Sequence, residues 1–234
     1  MQNQYFCKVK HALHNPVFNA LSSGDKHLSF GTDAVKYFDE SVSPFVGFEE
    51  SYPKGFADLY ELFPAGRRIL YAIPSPITAP KGWQVQHDIK GLQFVYEGDS
   101  DIKKEFDEVK PLGEKHIDEM VQLAALTKPG PFAKGTINFG HYHGIFENEK
   151  LVAMTGQRLH VQNYTEISAV CTHPDYTGKG YANILMQHQL QLILQQGQQS
   201  FLHVREDNER AIALYKRLGF TISRPMNFYF MKRL

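Results

Sequence analysis

At 234 residues the chain is long enough for one large domain or two small ones, and either size buries enough apolar surface to fold without disulfide or metal staples. Its 25 Lys and Arg balance 25 Asp and Glu, which leaves no broad positive field to gather nucleic acid and no acidic tail to repel it. Cys7 and Cys171 stand in unrelated contexts, the opening MQNQYFCKVKHALHN lacks the apolar core of a secretory signal, and no apolar run approaches the roughly 18 residues of a membrane span, so the expectation is a cytoplasmic protein with no nucleic-acid or membrane partner.

In chain order, NPVFNALSS and GFADLYELF read as short helices, and AVKYF, SPFVGF, RRILYAI and GLQFVYE as strands, punctuated by Pro, Gly and Ser. Residues 97–116, EGDSDIKKEFDEVKPLGEKH, crowd charges between two apolar-patterned segments and suggest a boundary near residue 105. That division gives an N-terminal α+β domain over 1–105 and a second domain over 106–234. The second half reads as helix IDEMVQLAAL, loop TKPGPF, strands HYHGIFE, LVAMTGQRL and YTEISAVCT, a helix from Tyr181 to Gln196, strand QSFLHV, a helix from Glu209 to Leu218, and final strands around FTIS and FYFMK. Strand, helix, strand across residues 165–204 implies a parallel crossover, the setting in which a ligand meets a helix N-terminus.

The turn into the Tyr181 helix is DYTGKGYA. A glycine-containing turn that runs straight into a helix groups several backbone N–H donors, and glycine lets an anion approach without meeting a Cβ. An ordinary turn needing positive φ would use the same residues. Two phosphate-loop patterns fit poorly: Gly-x-x-x-x-Gly-Lys-Ser/Thr lacks its first glycine and its hydroxyl, and Gly-x-Gly-x-x-Gly lacks its third glycine, because position 183 is Asn.

The flanks of this loop carry more. EISAVCTHPDYTGKGYANILM followed by FLHVREDNERAIALYKRLGF resembles the GNAT N-acetyltransferase superfamily over residues 114–234. In that family Gln/Arg-x-x-Gly-x-Gly/Ala binds the pyrophosphate of acetyl-coenzyme A; Gly180 and Ala182 match it, whereas Thr177 stands where the family has Arg or Gln. A second motif, Asn-x-x-Ala-x-x-x-Tyr-x-x-x-Gly-Phe, is met by Asn208, Ala211, Tyr215, Gly219 and Phe220. The resemblance implies an α+β fold with a mixed sheet flanked by helices, and acetyl-coenzyme A as co-substrate without a metal. It implies that Gly178, Lys179, Gly180, Tyr181, Ala182 and Asn183 hold the pyrophosphate and that Asn208 contacts the coenzyme. Val170, Cys171 and Thr172 would offer backbone groups to the pantetheine arm and thioester. The N-terminal half, with NPVFNAL and SPFVGF, resembles the leader region of GNAT enzymes whose catalytic half reads EISAVCTHP, which suggests a reduced GNAT-like copy.

Acetyl transfer to an amine needs a proton acceptor, because a lysine-like amine with a pKa near ~10.4 arrives protonated at neutral pH. Glu166, eleven residues before Thr177, has the spacing of a strand glutamate that serves as base in the histone-acetylating branch; an exposed strand carboxylate in a surface pair is the other reading. His203, five residues before Asn208, lies where acetylases of protein N-termini carry a glutamate, and an imidazole suits proton transfer near neutral pH. Water relayed between the two is a third possibility. The resemblance gives the Tyr215 hydroxyl the role of protonating the leaving thiolate, while Ala211, Leu214, Tyr215 and Leu218 form a helical stripe that would bury the same ring. Cys171 has no fixed positive partner to make it a nucleophile. His141 and His143 share a strand face but lack a third metal ligand at a convincing spacing, which leaves them structural or substrate-facing. The reading is therefore an N-acetyltransferase acting by direct attack in a ternary complex on a small-molecule or peptide amine, with a coenzyme-A-binding sensor that lacks turnover as the rival.

Overall fold

The computed structural model describes residues 12–99, 102 and 105–234. Cys7 lies outside them, as do Ser100, Asp101, Lys103 and Lys104 of the charged stretch. The first half runs α1 (Pro16–Ser22), β1 (Ser29–Gly31), β2 (Val35–Phe38), β3 (Phe45–Phe48), α2 (Gly55–Leu62), β4 (Arg68–Ile73) and β5 (Trp83–Tyr96). The second runs β6 (Val109–Pro111), α3 (Ile117–Thr127), β7 (His143–Glu147), β8 (Lys150–Val161), β9 (Tyr164–Thr172), α4 (Tyr181–Gln195), β10 (Gln199–Arg205), α5 (Glu209–Arg217) and β11 (Phe220–Arg233).

These strands form one mixed sheet in the order β1-β2-β3-β4-β11-β5-β10-β9-β8-β7-β6, flanked by helices. The crossover expected over residues 165–204 is present, with β9 and β10 parallel. A second parallel pair, β3 and β4, is joined through α2 in the same way. Two strands sit outside their own half: β5 lies between β10 and β11, and β11 lies between β4 and β5. Read inward from either side, the order is therefore the same: β2-β3-β4-β11-β5 from one edge and β8-β9-β10-β5-β11 from the other. The boundary expected near residue 105 falls between β5 and β6, and the sheet crosses it through the long β5–β11 and β5–β10 ladders.

The core follows strand alternation. In β10, Phe201 joins a cluster with Leu21 of α1 and Met120 and Leu123 of α3, while Leu202 and Val204 join Met186, Leu190 and Ile193 of α4. In β5, Val95 and Phe94 divide between the same two clusters. Both faces of the central strands are thus covered.

Two elements differ from the sequence reading. The strand read as GLQFVYE extends back to Trp83, through the alternating WQVQHDIK. The two final strands are one, because β11 continues through Pro225; a register shift at Ser223 precedes the proline, which lies opposite Leu92 of β5 and before the β4 ladder begins at Asn227. No helix among the described residues is long and apolar enough to cross a membrane.

Candidate active site

β9 and β10 pair only over Tyr164–Glu166 and Gln199–Phe201. Beyond these residues each strand is drawn away by a separate cause. In β9 the backbone of Ala169 takes φ 54°, and the ladder to β8 skips a residue between Met154 and Gly156; this bulge bends the end of β9. In β10 the residues from Phe201 to Arg205 are held by β5. A cavity of about 780 Å³ lies in the gap, with residues 167–172 on one wall and 203–205 on the other.

The cavity reaches the N-terminus of α4. Gly178 and Gly180 have φ values of 85° and 84°, and a Cβ on either would meet no atom within 4 Å. The turn needs glycine for its backbone conformation, and the space beside it is open. Gly180 gives α4 no side-chain cap, and its first turn has no acidic residue, so the free N–H groups are left for an external anion. The contrast is α5, where Asn208 Oδ1 accepts from the Ala211 N–H at 3.2 Å and Glu209 occupies the first turn. Thr177 Oγ1 donates to the Pro174 carbonyl at 3.0 Å and so closes its own turn. Of the residues expected at the coenzyme, Val170, Cys171, Thr172, Gly178, Gly180, Tyr181, Ala182, Asn183 and Asn208 line the cavity. Lys179 is not among the lining residues; its ammonium lies 3.7 Å from Glu147 Oε1 and 5.0 Å from the Tyr176 ring centre. Arg205, Arg210 and Arg217 line the cavity instead.

Of the three residues expected to catalyse, His203 and Tyr215 line the cavity and Glu166 sits behind it. Glu166 is wholly buried and stands opposite Arg158 in the β8–β9 ladder. Arg158 Nε donates to Oε2 at 2.9 Å and Nη2 to Oε1 at 2.8 Å, while His203 Nδ1 meets Oε1 at 2.9 Å. Burial alone would raise the pKa of this carboxyl, but Arg158 and His203, by charge and by hydrogen bonding, outweigh it and hold it at about 2. Such a carboxylate is a weak proton acceptor at neutral pH.

Register places Gln93 of β5 opposite His203. The Gln93 amide Nε2 lies 3.1 Å from His203 Nε2 and 2.9 Å from the Leu13 carbonyl. A ring that donates from Nδ1 to Glu166 and accepts at Nε2 from Gln93 satisfies both contacts in its neutral form. Gln93 Oε1 is buried without a hydrogen-bond partner.

Tyr215 is buried, edge-on to Phe94 and Phe220 with centroids 6.2 and 6.1 Å away. Burial pushes its phenol up to about 12, so the hydroxyl keeps its proton at neutral pH. Among the described residues that hydroxyl makes no hydrogen bond. Burial likewise pushes the Cys171 thiol up to about 11, the opposite of what a nucleophilic thiolate requires. His143 meets His188 edge to face with centroids 4.4 Å apart, and Gln189 Nε2 donates to the His141 carbonyl at 2.7 Å. Among the described residues no group of three His, Cys, Asp or Glu could hold a metal ion.

Sequence reasoning missed Arg158 and Gln93. Arg158 had a partial signal: a tight turn at Gln162 and Asn163 joins the two strands in a register that would set Leu159 opposite Glu166, and a bulge at Leu159, whose φ is 46°, brings Arg158 there instead. Gln93 had none, because its strand comes from the other half of the chain.

Residues 142–229 match the family model of FR47-like proteins. The chain is similar in structure to an acetyltransferase from the GNAT family of Novosphingobium aromaticivorans, at 30% identity, 96% coverage of this chain, 99% of the other, and a TM-score of 0.89. A GCN5-related N-acetyltransferase from Kribbella flavida shares the fold at 13% identity, covering 93% and 95% of the two chains with a TM-score of 0.60. One from Sphaerobacter thermophilus does so at 14% identity, covering 86% and 76% with a TM-score of 0.51. No curated protein matches the chain.

Proposed function

The chain belongs to the GNAT family of acetyltransferases, and on that premise we propose that it transfers an acetyl group from acetyl-coenzyme A to an amine by direct attack, with both substrates bound. The observation that carries the reading is the cavity between the parted strands β9 and β10, with an uncapped helix N-terminus at one end and the Tyr215 hydroxyl on its wall. The residues present fit the co-substrate. The open space at Gly178 and Gly180 and the free N–H groups of α4 suit a pyrophosphate. Arg210 and Arg217 supply the positive charge that Thr177 does not. The parted edge of β9 offers backbone groups to an extended arm, and the Asn208 amide nitrogen is free to join them. When bound, acetyl-coenzyme A supplies an activated acyl carbon and a thiolate leaving group.

His203 takes the proton of the attacking amine in this mechanism, and Glu166 acts through it by fixing the ring from Nδ1. Uptake at Nε2 displaces the Gln93 N–H, and turning the amide over brings the unpartnered Oε1 to the new donor. The Tyr215 hydroxyl gives a proton to the leaving thiolate and recovers it through solvent. The amine thus loses one proton and the thiol gains one. The cytoplasm, where a buried Cys171 stays reduced, suits this chemistry.

For the N-terminal half, residues 1–105, we propose a reduced GNAT-like copy that completes the catalytic half, residues 106–234. The repeated strand order and the second parallel pair joined by a helix support that reading. The functional test is thiol release from acetyl-coenzyme A in the presence of a panel of amines. Acceptor-dependent release supports the reading, and binding of the coenzyme with no release for any amine overturns it.

A further inference from the structure

The charged residues that line the cavity are all cationic: Lys128, Arg158, Arg205, Arg210 and Arg217, with no Asp or Glu. A second groove of about 560 Å³ shares Lys128, Gly130, Pro131 and Phe230 with the first and adds Arg68, again without a carboxylate. Arg205 is paired with Asp207 on the exposed surface, with contacts of 2.6 and 2.9 Å, and Arg210 and Arg217 lie on α5 at the coenzyme end. Arg158 and Lys128 remain at the opposite end, among apolar walls that include Phe45, Phe228 and Phe230.

The geometry of Arg158 is specific. Nε and Nη2 are held by Glu166, and the guanidinium carbon sits 5.1 Å from the Phe45 ring centre, so the plane is fixed on two sides. Among the described residues Nη1 has no hydrogen-bond partner, and the nearest approach at Gly130 leaves a would-be Cβ 3.9 Å from it. Lys128, in the left-handed conformation at φ 51° that ends α3, is exposed where cavity and groove meet. The Glu166 carboxylate is taken up by Arg158 and His203, which leaves one preorganised N–H with no acceptor and, in Lys128, a cation with no ion-pair partner among the described residues; together they form a receptor for an anion, and the aromatic walls ask for an apolar body. A polyamine, an aminoglycoside or a lysine-rich peptide would bring positive charge against Lys128 and an N–H donor, with no carboxylate on the cavity wall to meet it.

We propose that the acceptor is an amino carboxylic acid with an apolar or aromatic side chain, its carboxylate held by Arg158 Nη1 and Lys128 and its side chain among Phe45, Phe228 and Phe230. This inference rests on the acetyl-transfer reading and names its substrate class. The amine nitrogen forms the new N–C bond, the thioester C–S bond breaks, and the protons move to His203 and from Tyr215 as above.

The test measures thiol release by the full chain with free amino acids, the matching amino-acid amides, spermidine and an aminoglycoside. Free phenylalanine or leucine is expected to exceed its amide by roughly 10²-fold in kcat/KM, because the amide leaves Lys128 without a counter-charge and Arg158 Nη1 without an anionic acceptor. Lys128→Glu, at an exposed position that leaves the buried pair untouched, is expected to lower kcat/KM for the acid by roughly tenfold or more and to narrow the gap to the amide, with acetyl-coenzyme A affinity within a few-fold. Amides or spermidine used as well as the acids, or an unchanged Lys128→Glu preference, would overturn the inference and leave acetyl transfer standing. Release with no amine at all would overturn both.

Discussion

Arg158 and Glu166 face each other across the β8–β9 ladder, and the guanidinium closes on both carboxylate oxygens in a buried setting. The pair therefore behaves as one object. Its removal by halves leaves a buried charge without a partner, which is the costly case.

Glu166→Gln is expected to lower stability at neutral pH by roughly 3–5 kcal/mol, since Arg158 keeps its charge. The folded-state pKa of about 2 lies below the 4.5 of an unperturbed glutamate, so the stabilisation is complete above pH 4.5 and is lost as pH falls towards 2. Urea unfolding through that window should show a steeper fall for the parent protein than for Glu166→Gln. Parallel curves would remove the ion pair from the stability argument.

His203→Gln should depress turnover by roughly 10²- to 10⁴-fold while acetyl-coenzyme A affinity stays within a few-fold. Single-turnover acetyl transfer and calorimetry separate the two effects. A small loss here, beside a large one in a folded Glu166 variant, would return the base role to the glutamate.

Gly180→Asp is expected to abolish acetyl-coenzyme A binding, by forcing a non-glycine residue to φ 84° and by placing a negative charge at the open helix end. Gly180→Ala adds strain without charge and without a clash, and should weaken binding less. Equal affinities for the parent and a folded Gly180→Asp would reject the phosphate site.

Tyr215→Phe keeps the ring between Phe94 and Phe220, so stability should change by less than about 1.5 kcal/mol. Turnover should fall by roughly 10²-fold or more with coenzyme affinity little changed. The phenol is pushed up to about 12, so it stays protonated well above neutral pH and the defect should be constant from pH 6 to 9. A thioester whose thiol leaves readily as its anion should restore the rate, and full activity on the natural donor would reduce this tyrosine to packing.

The elements that frame the site were legible because their signals are local. YTEISAVCT is strand β9 to the residue, and the helix read from Tyr181 to Gln196 differs from α4 by a single residue at its end. Glycine punctuation and helical periodicity act over a few residues, and there the pattern and the structure agree. The neighbours of His203 were not legible. Gln93 reaches it through a strand order that no local signal encodes, and Lys179 turns towards Glu147 because a nearby carboxylate competes for its ammonium. Glu166 was read on a strand that could have faced solvent, and the opposed Arg158 explains its complete burial.

The placement of β11 also governs how the chain can be made. A ribosome delivers β4 and β5 long before β11, yet β11 is the strand that belongs between them. During synthesis those two strands carry open hydrogen-bonding edges that invite pairing with other nascent chains. The second half is equally dependent, since β10 meets β5 on the side away from β9. Neither half is a finished product without the other, so the natural hazards of this architecture are chaperone demand and domain-swapped assemblies in which one molecule lends its β11 to the next.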